Sequence, residues 1–338
     1  MPGSSLRRPP APHPRALLAV LLLVPAIVAL ALWAFAWPAA RTAPRDLPVG
    51  VAGPPAAAAS VEQKLSRDGE AFEIHRYDDE AAARDAIERR EVYGAVVATP
   101  KGPHALTASA ASPVVAQALQ QVAGGPSGAG TASRSTDVVA APEVDPRGAA
   151  LSSSVLPLAI GGVAAGAMVA VLGLRGTRAV VALLGSAALS GAVAAALTHS
   201  WLGVLTGNWW AESASFGLFS LAVSASVAGL GALLGRAGIG SGAMAMVLFG
   251  NPFSGVTSAP EMLPEPLGTI GQWLPPGAGA TLLRSVGFFD GSASDSPVLV
   301  LTVWAVAGLT FVTVGGLRKQ TTEVPEDSSR TGRRIPTA

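Results

Sequence analysis

Residues 238–291 read GIGSGAMAMVLFG (238–250) followed by NPFSGVTSAPEMLPEPLGTIGQWLPPGAGATLLRSVGFFDG (251–291). The fold turns on how this stretch is read. It opens as an apolar helix that ends or kinks at Asn251-Pro252, because proline has no backbone N–H and its ring crowds the preceding turn. Pro264, Pro266, Pro275 and Pro276 cut the remainder into two short pieces. In the first, Leu267, Ile270 and Leu274 recur at helical spacing beside Trp273; in the second, Leu282, Val286 and Phe289 do the same. Each piece is shorter than the ~20 apolar residues needed to cross a bilayer, and each is too apolar for a free loop. The expectation is a broken span followed by re-entrant or interfacial helices over 251–290. The plainer reading is a loop that joins two spans and carries a few interfacial tryptophans.

The rest of the chain supports a membrane setting. Half of the 338 residues are hydrophobic and only 13% are charged, which is too apolar for an ordinary soluble protein of this size. The net charge of +1, with no basic cluster interleaved with aromatics, sets nucleic-acid binding aside. The absence of cysteine excludes disulfides, thiolate nucleophiles and thiolate metal sites.

Residues 1–15 are proline-rich and carry Arg7, Arg8 and Arg15. Residues 16–37 are apolar throughout, longer than the core of a signal peptide, and read as an uncleaved first span. Five more spans are expected at 156–174, 179–197, 213–234, 239–249 (with the broken segment beyond) and 297–317, within a membrane domain over 155–318. Arg175, Arg178 and Arg236 flank short loops on one side, and Arg318 and Lys319 follow the last span. That bias predicts six spans in the plasma membrane with both termini cytoplasmic. The polar tail, 319–338, is expected to be disordered.

Between the first two spans, 38–154 has the composition of a soluble unit. Leu47, Val49 and Val51 alternate like a strand, as do Phe72 and Ile74, and 94–98 is a short run of small apolar residues. Ser60 with Gln63 forms a possible capping box, and Asp78 or Asp79 can cap a helix whose exposed face pairs Glu80 with Arg84 and Asp85 with Arg89. A further strand near Leu106, a helix over 114–122, a glycine linker at 124–130 and a strand near 136–141 complete the pattern. The expected fold is a six-span helical membrane protein with an inserted small α/β extracytoplasmic domain that folds on its own.

Few residues offer chemistry. No acid or histidine lies well inside a span; His199 and Glu212 sit at span ends and read as interfacial. There is no phosphate-binding G-x-x-x-x-G-K-[ST], and His13, His75, His104 and His199 are too isolated for a metal. No catalytic residue, metal ligand or cofactor site is identified, and the chain reads as a non-enzyme. Gly162–Gly166, Gly231–Gly235 and Gly238–Gly242 have small-xxx-small spacing, which lets helices approach closely within the chain or against a second subunit, as a homodimer or heterodimer in the lipid bilayer.

Two ordered sets of residues carry a resemblance. The first is Asp46-Leu47-Pro48-Val49-Gly50-Val51, Glu80-Ala81-Ala82 and 92–100, VYGAVVATP. The second is 251–255, NPFSG, then Leu263-Pro264, 271–277, GQWLPPG, and Leu283-Arg284-Ser285. Together they resemble ABC type-2 permease-like membrane proteins, closest to the branch of the phage infection protein and its actinobacterial relatives. The resemblance implies one subunit of an exporter that moves a hydrophobic or cell-envelope-related substrate with a separate ABC ATPase. In such an exporter the broken stretch forms an outer gate of Asn251, Pro252, Ser254, Gly255, Gln272, Trp273, Pro275, Pro276 and Arg284. Asn251, Ser254 and Gln272 would satisfy backbone groups freed by the break, Trp273 would anchor at the headgroups, and Arg284 would reach outward to them. The short Arg175–Arg178 loop departs from the pattern, since it offers an ATPase little to grip. The alternative is a non-transporting envelope protein whose extracytoplasmic domain binds a partner or ligand.

Overall fold

The computed structural model describes residues 14–100, 102–124 and 134–322. The expected N-terminal segment 1–15, the linker 124–130 and the tail 319–338 lie wholly or largely outside them. The chain is mostly helical with one small sheet, and five helices are long and apolar enough to cross a membrane. This is the make-up of a polytopic helical membrane protein.

The first of these five is α1 (Pro14–Ala40), which contributes the stretch Leu21–Ala40. It leads into β1 (Leu47–Ala52), followed by α2 (Pro55–Leu65), β2 (Phe72–Tyr77), α3 (Glu80–Glu88), β3 (Gly94–Thr99), β4 (Gly102–Thr107), α4 (Pro113–Gly124) and β5 (Arg134–Asp137). The strands form one sheet in the order β2-β1-β3-β4-β5. β1 is parallel to β2 and β3, β3 is antiparallel to β4, and β4 is parallel to β5. β1 and β3 are buried on both faces, as expected for central strands flanked by helices. α2 and α4 cover one face through Ala58, Val61, Leu65, Val115 and Leu119. α3 covers the other through Ala83, Ala86 and Ile87, and Asp79 caps it by accepting from the Ala82 N–H at 2.9 Å. One expected cap is corrected. Ser60 is not the start of a helix; α2 begins five residues earlier because Pro55 is pre-set for the first helical turn, and the Ser60 hydroxyl donates back to Ala57 O. Glu80 and Arg84 pair as expected, whereas Arg89 pairs with Glu91 at 2.8 Å.

After the sheet come α5 (Ala149–Val171), α6 (Gly176–Ala195), α7 (Trp209–Leu234), α8 (Arg236–Ala243), α9 (Leu267–Trp273), α10 (Pro275–Phe288) and α11 (Asp295–Thr322). α7 is the hub: Phe219, Ala222 and Val223 pack with Val155 and Ala159 of α5, Ala278 and Ala280 of α10, and Leu301 and Ala305 of α11. Nearer the other end, Ala225 and Ala228 meet Val169, Leu183 and Val312. The expected small-residue faces are used inside the chain. Gly162 and Gly166 press on α7, where a Cβ at Gly166 would lie 2.3 Å from Ser224 O, and Gly242 presses on Val227. Gly231 meets Ile239 and Ala170, while Gly235 instead ends α7 in a left-handed turn (φ 64°).

The helix expected as the fifth of six spans is not among the five long ones. α8 has 8 residues and runs into a 7-residue π-helical stretch, Met244–Gly250. At ~1.5 Å per residue this reaches about 22 Å, short of the ~30 Å hydrocarbon core.

The sheet is joined to the bundle by the segments on either side of α9 and α10. The Ala43 and Arg45 N–H groups donate to Met262 O (3.0 Å) and Glu261 O (2.9 Å). Ala259 and Met262 complete the core on the α2/α4 face, and Phe289 completes the core on the α3 face. The sheet unit, expected to be self-contained, thus borrows part of both its cores.

Candidate functional site

The proline-cut stretch folds into a helical hairpin. α9 and α10 are its legs, with Leu274 extended between them and Pro275-Pro276 opening α10. The legs lie close because Gly277 has no side chain: a Cβ there would fall 2.1 Å from Gly271 O, while Gly271 itself lets α9 press on the 252–254 turn, where a Cβ would fall 1.6 Å from Phe253 O. Gly255, at φ 66°, turns the chain back towards Ala259 and Pro260, a conformation that L side chains rarely adopt. Trp304 Nε1 donates to Trp273 O at 2.8 Å. α11 starts at Asp295, so the hairpin tip lies about 14 Å along that helix at ~1.5 Å per residue. Gly250, the last residue of the broken helix, lies against Pro276 at the same tip.

The break frees backbone groups, and nearby side chains take several of them. Ser254 donates to Asn251 O (2.6 Å) and accepts from the Val256 N–H (3.2 Å). Gln272 Nε2 donates to Ser254 O (3.0 Å), and its Oε1 accepts from Thr281 (2.7 Å). Val256 O accepts from Ser152 and from Arg284. Of the polar residues expected in this role, Ser254 and Gln272 serve it; Asn251 Oδ1 is buried with no partner. Pro252 starts a 3-10 turn just past the helix end, and Trp273 is 70% exposed on the bundle flank. Arg284 departs from expectation. It is only 6% exposed and turns inward to Val256 O (2.9 Å), because α10 is packed on nearly all sides and its Arg284 face looks at the 251–263 loop and the sheet unit.

Two more charged groups belong to this region. Arg90 leaves the end of α3 and donates from one terminal nitrogen to Thr281 O (3.1 Å) and to the Ser285 hydroxyl, with Phe289 under its guanidinium. Tyr93 donates to Glu261 Oε2 at 2.8 Å. Burial, reinforced by the Glu261 charge, holds the Tyr93 phenol well above its ordinary range, so it stays a donor; burial pulls Arg90 down. Sequence reading assigned neither contact, since each reaches a partner at least 168 residues along the chain.

A second pair lies at the start of α7. Glu212, 0% exposed, accepts from the Gly207 N–H (2.9 Å) and pairs with His199 Nδ1 (3.0 Å) at the end of a π-helical turn, Ala196–Trp201. Read separately, these two residues looked interfacial; the short loop between α6 and α7 folds them together.

No family model, curated protein or solved structure matches this chain. Its chemistry therefore has to be read from the arrangement itself. The described residues hold no cluster of three acids or histidines for a metal. What they offer is a hairpin whose α10 leg is wedged among α5, α7 and α11, with polar groups turned inward at its root.

Proposed function

We propose that the chain is an integral membrane, permease-like subunit of an exporter, acting with a separate ATPase on a hydrophobic or cell-envelope-related substrate. The observation that carries this reading is the broken helix at Gly250–Pro252 meeting the tip of a helical hairpin inside the bundle. Non-helical backbone at membrane depth is tolerated where it is buried in protein or lines a cavity, and transporters place their pathways at such breaks. In this reading the hairpin is re-entrant from the outside and acts as the outer gate, and the sheet unit stands outside the membrane. α8, the π-helical stretch and the 251–263 loop together complete a sixth crossing, leaving both termini in the cytoplasm of a plasma-membrane protein. Exposed Trp201 and Trp210 at the sheet end of the bundle suit an interface there, and Trp273 then lies deeper than that belt. A second copy or a related subunit would complete the transporter through faces other than the glycine stripes already filled.

The second reading, a non-transporting envelope protein with a ligand-binding outer domain, is favoured by one observation. Only residues 172–175 separate α5 from α6, too little to grip an ATPase. Purification from native membranes in gentle detergent separates the two: a co-purifying ATPase supports the exporter, and its absence favours the second reading. Because the chain has no cysteine, single cysteines report sidedness directly. Asn208→Cys and Glu265→Cys should react with an impermeant thiol reagent in intact cells and Arg178→Cys should not; the reverse pattern would overturn the topology.

A further inference from the structure

A cavity of about 220 Å³ lies between the sheet unit and the hairpin. Arg90 and Tyr93 enter it from the end of α3, Gln272, Thr281 and Arg284 from the hairpin, and Glu261 from the segment before it. Its charge is unbalanced. Arg90 and Arg284 bring two guanidinium groups, and among the described residues neither has a carboxylate within ion-pair distance. Glu261 is already engaged by the Tyr93 hydroxyl. Glu91 also lines the cavity, but it pairs with Arg89. One positive charge is left in excess, in a place where solvent screens it poorly.

The donors are unbalanced too. One terminal nitrogen of Arg90 is spent on Thr281 O and Ser285, leaving Nε and the other terminal nitrogen. Arg284 spends one nitrogen on Val256 O, leaving Nε and the second terminal nitrogen. A guanidinium presents its N–H groups as a planar fork that matches an oxyanion two atoms at a time. Burying such groups without a counter-charge is costly, and an anion removes the cost. The volume suits a phosphate-sized group with a few waters and falls below the range of drug-sized pockets, about 300–1,000 Å³. Ala111, just before α4, and Ala293, just before α11, complete its lining.

We propose that this cavity is a binding site for a phosphate oxyanion held between Arg90 and Arg284, either free phosphate or the phosphate of a lipid headgroup. The site does not depend on transport: it would serve an exporter and a non-transporting protein alike. It joins the sheet unit to the hairpin through the ligand, since one arginine comes from each.

The test uses the full chain in dodecyl maltoside, a detergent without phosphate. Unfolding temperature is followed by intrinsic tryptophan fluorescence while inorganic phosphate, or phosphatidylglycerol, is titrated against potassium chloride at equal ionic strength. Either titrant should raise the midpoint, as any ligand of the folded state does. A response to inorganic phosphate identifies a free-ion site; a response to phosphatidylglycerol alone, with one lipid retained in native mass spectrometry, identifies a headgroup site. Arg90→Gln should weaken the response about ten- to hundredfold, the range for losing a charged hydrogen-bond donor, and Arg90→Lys should restore part of it. Arg284→Gln should do the same; if that buried change prevents folding, Arg90→Gln, at the partly exposed end of α3, decides alone. The proposal is overturned if neither titrant exceeds chloride, or if Arg90→Gln responds as the unmodified chain does.

Discussion

α1 and α7 are both long, apolar helices, yet 67% of the most apolar stretch of α7 is buried in the protein and only 11% of that of α1. Apolarity does not explain the difference. α1 is rich in Leu, Ala and Val, with Leu22 and Leu32 exposed over 72% and 63% of their surface. α7 contains Ser213, Ser215, Ser220, Ser224 and Ser226 together with Gly217, Gly229 and Gly231. In lipid there is no hydrophobic gain in joining two leucine faces, because the tails are as apolar as leucine. Association comes from close packing and from hydrogen bonds that small residues permit. The hub α7 lets α6 and α11 approach closely at Gly217 and Gly229, while Ser215, Ser224 and Ser226 bond carbonyls of their own helix, and α1 turns leucines outward.

The largest test of that contrast is Gly166→Leu. Its side chain would have to occupy the space of Ser224 O, forcing α5 off α7. We expect a loss of about 3 kcal/mol or more, the upper end for overpacking, seen as a collapse of the monodisperse peak on size exclusion. Next is Glu212→Ala at the mouth of the hub. It leaves the Gly207 N–H and the His199 ring without their acceptor, for an expected loss of about 2 kcal/mol in detergent unfolding. A value near zero would mean that α7 needs only its small residues. The smallest effect belongs to α1. Leu22→Ala, at a position 72% exposed, should change stability in detergent by less than about 0.5 kcal/mol. A larger loss would show that α1 packs on something other than lipid.

The sheet was legible because its signals are local. Alternation marked β1 and β2, Asp79 capped α3, and Pro252 announced the end of a helix that stops at Gly250. The hairpin was legible as two short apolar pieces, since their prolines and leucines sit a few residues apart. What could not be read were meetings between distant residues. Nothing near Arg90 points to Thr281 and Ser285, and nothing near Arg284 shows that Val256 will supply its acceptor. Arg284 looked like a surface anchor because an arginine in an apolar run normally reaches for water; here a loop and a second domain close over it. The number of crossings was also hard to read, because α8 and the π-helical stretch have the apolarity of a span but not its length.

The two faces of the sheet are each completed from one flank of the hairpin, Ala259 and Met262 on one side and Phe289 on the other. The two regions must therefore change together in descent. A substitution that reshapes the sheet core alters the footing of the hairpin, and the reverse holds as well. In a chimera made with a related chain, 38–148 cannot be exchanged without 256–290. Grafted alone, the sheet would meet the wrong residues at both of its faces, and a chimera carrying both segments from one parent is the one expected to fold.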